Sequence, residues 1–338
     1  MSKAIDIGTC FLVSAMQDSN NKIQLKTIRD AFIDMDSEAK QMLSMSQVDF
    51  IESGDKLYVI GDSALTLANL FKREVRRPLS KGVISPGELE AEKILLVLIE
   101  NILGKAVNAG ETCFYSVPAA PIGHSIDIIY HTAMFSKLIS SLGYKAHPLN
   151  EAAAISFSNA AKEQFSSCAI SFGAGLVNVC LMFKTMIGMA FSIQQSGDYL
   201  DQAVAAATGS TASRIQAIKE KGINLMNPNE GDDPKTLRER EALIIYYKSL
   251  ILRTLDSIKT EFNRHQGSIE LPNAVPIILS GGTSLAKGFK ELFEAGFEMV
   301  KKDFPFGISE IRMASDPLNS VAQGLLIAAM NYDAGTKK

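Results

Sequence analysis

Ala4-Ile5-Asp6-Ile7-Gly8-Thr9-Cys10-Phe11-Leu12-Val13 has a counterpart in Ala169-Ile170-Ser171-Phe172-Gly173-Ala174-Gly175-Leu176-Val177, at an offset of 165 residues from Gly8 to Gly173. Each copy reads as an apolar strand, a tight glycine-containing turn and a second apolar strand, a β-hairpin whose turn exposes backbone N–H groups. The offset is close to half of the 338 residues, so the chain reads as two related halves. Phosphates need several N–H donors aimed at one place with no side chain in the way, and a glycine turn supplies them. Either turn alone is more simply an ordinary strand end; their recurrence in matched surroundings favours two turns gripping one triphosphate.

Outward from the hairpins the pattern alternates strands and helices, which predicts mixed sheets covered by helices. Residues 22–58 are of mixed character with a turn at Ser53-Gly54-Asp55, and read as part of a small subdomain, about 22–75, inserted into the first lobe. Glu88 to Leu103 has apolar residues at helical spacing with charges opposite. Thr112 to Val117 reads as a strand ended by Pro118, and Ser125 to Leu142 as a helix closed by Gly143. Lys145 to Leu149 reads as a strand leading into a helix over Glu151 to Ala161. From Gly197 to Gly267 the chain reads as mostly helical, interrupted by the polar run Asn227 to Pro234, a second inserted subdomain. Pro276 to Thr283 is a buried strand running into two glycines, and Asp316 to Met330 a closing helix. The expected division is residues 1–150 with 316–338 as lobe I and 151–315 as lobe II.

With 46% hydrophobic and 21% charged residues the composition is globular. The formal net charge is −3 and Lys and Arg are scattered, so no basic stripe is available for nucleic acid. No apolar run approaches the roughly 20 residues that span a bilayer, and the chain starts at its first strand, which together suggest a cytoplasmic protein. The four cysteines (Cys10, Cys113, Cys168, Cys180) show no C-x-x-C spacing, and the four histidines are dispersed; His124 and His131 fit a shared helix face, where a structural role is commoner than metal ligation.

Three loops carry chemistry. Asp6, beside the turn of Gly8 and Thr9, is placed to hold water on a Mg²⁺, a hard ion that keeps much of its hydration. Gly173-Ala174-Gly175 forms the second turn. Gly281-Gly282-Thr283, between a buried strand and a helix start, lets backbone lie against a planar base.

Taken in order, these pieces make the sequence similar to the actin, sugar-kinase and heat-shock-chaperone ATPase superfamily, and within it to bacterial actins of the MreB and MamK type. The resemblance rests on Asp6-Ile7-Gly8-Thr9, Arg77-Pro78 with Gly82-Val83-Ile84, Ser116-Val117-Pro118, Glu151 to Ile155, Gly173 to Gly175, Gly197-Asp198 with Asp201, Gly281 to Thr283, and Asp316-Pro317-Leu318 followed by Val321, Ala322 and Gly324. It implies an α/β, actin-like (ribonuclease H-like) duplicated fold of two lobes, each with a mixed sheet flanked by helices and a nucleotide cleft between them. It further implies ATP or ADP with Mg²⁺, Asp6 ordering the metal's waters, and nucleotide contacts from Gly8, Thr9, Cys10, Gly173, Ala174, Gly175, Gly197, Asp198, Lys219, Gly281, Gly282 and Thr283. Glu151 aligns with the acid that positions the attacking water; an acid in the first turn of a helix is also stabilised by the dipole there. Lys219 equally fits a solvated surface lysine.

The chain departs from that pattern in the second loop, where an acid, two threonines and a further acid are replaced by Ser171, Leu176, Val177 and Asn178. Hydrolysis is therefore expected to be slow or lost while binding persists through backbone donors, and whether the chain is an ATPase stays open at this point. The leading expectation is a filament of head-to-tail subunits, with cytosolic adaptors as further partners and membrane contact only through an adaptor. The alternatives are a non-polymerising, nucleotide-switched scaffold and, less well supported, a small-molecule kinase of the same superfamily.

Overall fold

The computed structural model describes residues 2–71, 73–123, 128–228, 233–265 and 271–336. Two units divide it: Met1–Val117, Asp127–Leu149 and Leu325–Lys338 form the first, Pro118–Ile126 and Asn150–Gly324 the second.

In the first unit the elements run β1 (Lys3–Ile7), β2 (Phe11–Gln17), β3 (Ile23–Arg29), β4 (Phe32–Asp36), α1 (Lys40–Met45), β5 (Phe50–Ser53), β6 (Lys56–Ile60), α2 (Gly61–Phe71), β7 (Leu79–Ser80), β8 (Val83–Ile84), α3 (Ala91–Leu103), β9 (Glu111–Val117), α4 (Ile128–Ser141) and β10 (Tyr144–Asn150). The main sheet has the order β10-β9-β1-β2-β3. β1 pairs antiparallel with β2, closing at Ile7↔Leu12, and parallel with β9, with Ile5 opposite Tyr115. Ile5, Leu12 and Tyr115 meet Ile94, Leu98 and Phe135 of the covering helices in one apolar core. α3 shows why its sequence is periodic: Ala91, Ile94, Leu95, Leu98, Ile99 and Ile102 are all buried. It begins three residues later than the apolar pattern suggested, because Glu88 N–H closes a turn on Ser85 O and the Glu88 carboxylate is held by Arg76. β4, β5 and β6 make a separate three-stranded sheet with its own small core around Ile33, Leu57 and Val59. The sharp β5–β6 turn falls on Gly54, at φ +64°.

The second unit contains α5 (Glu151–Asn159), β11 (Ser167–Phe172), β12 (Val177–Phe183), β13 (Met186–Ile193), α6 (Gly197–Thr208), α7 (Ala212–Lys221), α8 (Pro234–Arg264), β14 (Val275–Ser280), α9 (Phe289–Val300), β15 (Ile308–Met313) and the start of α10 (Ser320–Thr336). Its sheet has the order β13-β12-β11-β14-β15. β11 pairs antiparallel with β12 and parallel with β14, so it occupies the same topological place as β1 in the first unit. β11 is buried along its whole length, which suits a central strand covered on both faces. Asp233 caps α8 by accepting from Lys235 N and Thr236 N, with Pro234 at the first helical position where its missing N–H costs nothing. α10 lies directly against α5: a Cβ added to Gly324 would sit 1.7 Å from Ala154 O.

The two related halves expected from the hairpins are therefore present, each a mixed sheet with flanking helices. β13 and β15 are additions to the sequence reading. The β12–β13 turn is Lys184-Thr185, both at positive φ, and carries neither Gly nor Asn to announce it. The start of the helix read from Ser125, residue His124, part of the Asn227 to Pro234 run and the Gly267 boundary lie outside the described residues.

Candidate functional site

The repeat extends to individual hydrogen bonds. Gly8 N–H donates to Phe11 O at 3.1 Å, and Gly173 N–H donates to Leu176 O at 3.0 Å. Adding a Cβ would bring it within 2.8 Å of Phe11 O in one turn and 2.9 Å of Leu176 O in the other. The same four-residue turn is thus built twice, and in both places glycine is required by a close approach of backbone to backbone.

In the first unit Asp6, Gly8, Thr9 and Cys10 come together at the end of β1. Thr9 Oγ1 accepts from Gly82 N at 3.2 Å, Cys10 O accepts from Asp30 N at 2.9 Å, and Ser116 Oγ accepts from Ile7 N at 2.7 Å. Burial pushes the Asp6 carboxyl up to about 6, against the downward pull of hydrogen bonds from Ser116 and from the Ile7 backbone.

The second unit brings together Gly173, Ala174 and Gly175, Gly197 and Asp198, Lys219, and Gly281, Gly282 and Thr283. The second turn is braced through its carbonyls. Gly173 O accepts from Gly197 N at 3.1 Å and from Thr283 Oγ1 at 3.0 Å, and Ala174 O accepts from Asp198 N at 2.9 Å and from the Ser196 hydroxyl. Among the described residues the N–H groups of Ala174 and Gly175 have no partner. Carbonyls tied back and amides left over make a nest for an anion. Gly281, at φ +91°, closes on this turn: its Cβ position lies 2.4 Å from Phe172 O. Gly281 N–H donates to Pro317 O, and Tyr247 hydroxyl donates to Thr283 O at 3.3 Å.

Lys219 is held within the unit. Its Nζ donates to Gly197 O at 2.8 Å and lies 2.9 Å from Asp201 Oδ1, with the side chain 14% exposed. The lysine thereby anchors the start of α6, whose Gly197 N–H braces the second turn.

Glu151, in the first turn of α5, accepts from Ser171 Oγ at 2.7 Å and from Asn178 Nδ2 at 2.8 Å. Asn178 Oδ1 accepts from Ala119 N at 3.0 Å. In the sequence Ser171 and Asn178 stand out only as departures from a pattern; their hydrogen bonds to an acid 20 and 27 residues away depend on the β11–β12 register and carry no local signal. Leu176 and Val177 are buried.

Among the described residues no three His, Cys, Asp or Glu side chains come together as a metal cage. A single carboxylate beside a phosphate-type turn suits an ion bound chiefly by phosphate oxygens and water, as Mg²⁺ is, so Asp6 fits outer-sphere Mg²⁺. No helix among the described residues is long and apolar enough to cross a membrane.

The sequence matches the Volactin family over residues 1–329. The chain belongs to the Volactin family. No curated protein matches it. Among solved structures, a MamK double helical filament is similar with TM-score 0.72 at 17% identity, covering 98% of this chain and 99% of that one. MreB5 of Spiroplasma citri bound to ADP is similar with TM-score 0.68 at 14% identity, covering 100% and 98%. The same protein bound to AMPPNP gives 0.67 at 14% identity, covering 99% and 98%. This Volactin chain therefore has the actin-like fold of the MreB and MamK type.

Proposed function

We propose that this Volactin chain binds ATP with Mg²⁺ and assembles head-to-tail into cytoplasmic filaments, turning the nucleotide over slowly or not at all. The observation that carries the reading is the pair of matched turns at Gly8 and Gly173, with the second turn's carbonyls tied back and its amides left over. Asp6, Gly8, Thr9 and Cys10 of one turn and Gly173, Ala174 and Gly175 of the other would hold the polyphosphate, and Gly281, Gly282 and Thr283 the nucleoside side. Bound Mg²⁺ would spread the charge of the phosphate oxygens. The braces from Gly197, Asp198 and Lys219 keep the second turn in its binding shape. The fold neighbours include a MamK filament and MreB5 with ADP or AMPPNP, which supports both nucleotide binding and self-assembly.

Equilibrium binding of a fluorescent ATP analogue and sedimentation with and without ATP test this together. Saturable binding and ATP-dependent pelleting are expected; a protein that binds no nucleotide, or that stays monomeric at every concentration with ATP and Mg²⁺, overturns the corresponding half.

A further inference from the structure

We propose that Ser171 and Asn178 are positioning residues that clamp the Glu151 carboxylate and set the slow turnover of bound ATP, an inference resting on the nucleotide-binding reading above. Each carboxylate oxygen of Glu151 has its own donor, Ser171 Oγ on one and Asn178 Nδ2 on the other. The amide cannot be turned round: Ala119 N–H only donates, so the carbonyl oxygen of Asn178 must face it and the NH₂ must face Glu151. The three strands packed on α5, namely β11, β12 and β14, contain no charged residue, and α5 carries only Glu151. Ser171 and Asn178 are thus neutral donors to a carboxylate, with bonds of the short, charge-assisted kind.

Hydrolysis needs this carboxylate for something else. The oxygen of a water forms a bond to the γ-phosphorus. The bond from that phosphorus to the bridging oxygen breaks, with its electron pair leaving on ADP, and a water proton passes to Glu151 and then to solvent. Charge-assisted bonds to Glu151 stabilise the charged acceptor and must weaken as it takes the proton, so each donor raises the barrier. Removing one is worth a rate gain on the order of tenfold.

Single-turnover phosphate release with purified full-length protein tests this, alongside the dissociation constant for the same nucleotide. Ser171→Ala and Asn178→Leu are each expected to raise the rate several-fold with the dissociation constant unchanged, Ser171→Thr to restore the slow rate, and Glu151→Gln to abolish the gain in the Ser171→Ala background. A rate that falls or stays the same in both release variants while nucleotide still binds, or a gain that survives Glu151→Gln, overturns the clamp. A wild-type chain that binds no nucleotide instead removes the reading beneath it. Ser171→Ala is the smaller change, and circular dichroism melting shows whether each variant is folded.

Discussion

Asp6 shows how one residue couples the candidate site to solution conditions. Its carboxyl is raised from 3.8 to about 6 by burial, so the folded chain holds a proton over a pH range in which the unfolded chain has released it. The contribution of this group to stability therefore rises as pH falls through about 6 and levels off below about 4; above pH 6 the desolvated charge of this half-buried group is a penalty. In the absence of nucleotide, Asp6→Asn is expected to be more stable than the parent at pH 8, by on the order of 2–3 kcal/mol, with the gap closing toward pH 4. Urea unfolding at the two pH values measures this, and an equal gap at both contradicts it. Gly281 is a second residue whose geometry sets its cost. It combines φ +91° with a Cβ position 2.4 Å from Phe172 O. Gly281→Ala is expected to lose more than about 2 kcal/mol of stability and to weaken nucleotide binding at least tenfold, read by melting and by equilibrium binding.

Contacts between elements are where most of the unread information lies. α5 and α10 approach until backbone nearly touches backbone at Gly324 and Ala154. Gly324→Ala is expected to yield little folded protein, whereas Gly335→Ala, with open space around it, changes nothing measurable by thermal melting. α7 and α8 are joined by buried Glu239, which accepts from Arg214 Nε at 2.8 Å and from Ser210 Oγ at 2.6 Å. Burial pushes the Glu239 carboxyl up, and the Arg214 and Ser210 hydrogen bonds together outweigh it, holding the group below its ordinary value. Glu239→Ala is expected to lower the melting temperature and to speed proteolysis in the α6–α8 region. Because a depressed acid contributes stability above its unfolded value and loses it as pH falls through its folded value, the difference between variant and parent shrinks in acid.

These examples also explain what the sequence revealed. The hairpins around Gly8 and Gly173 were legible because strand alternation and glycine turns are local signals, and α3 because its apolar spacing is regular. Ends were less so: the first residues of the α3 pattern belong to a turn held by Arg76, a residue 12 positions earlier. The β12–β13 hairpin escaped because Lys184 and Thr185 adopt positive φ without the residues that normally do so. The Ser171–Glu151–Asn178 contacts lie across elements, where only the register of β11 against β12 brings them together.

At the scale of the whole molecule, the family match and the fold neighbours agree on an actin-like chain, while the nucleotide and the filament are consequences to be measured. Gly8→Val and Gly173→Val place bulk where Phe11 O and Leu176 O already sit. If both turns serve one ligand, each single variant is expected to abolish most ATP-dependent pelleting, and the double variant to be no worse than either; additive, partial losses point to turns acting separately.

The correspondence of Gly8 with Gly173 also fixes which other residues are counterparts: Asp6 with Ser171, and Val13 with Asn178. A chain descended from one doubled ancestral half began with the same side chain at both members of each pair. Today one half keeps an anionic group and an apolar neighbour, and the other a hydroxyl and an amide. One half thus presents charge at this place and the other neutral hydrogen-bonding groups, while the glycine and the hydrogen bond that close the turn are the same in both.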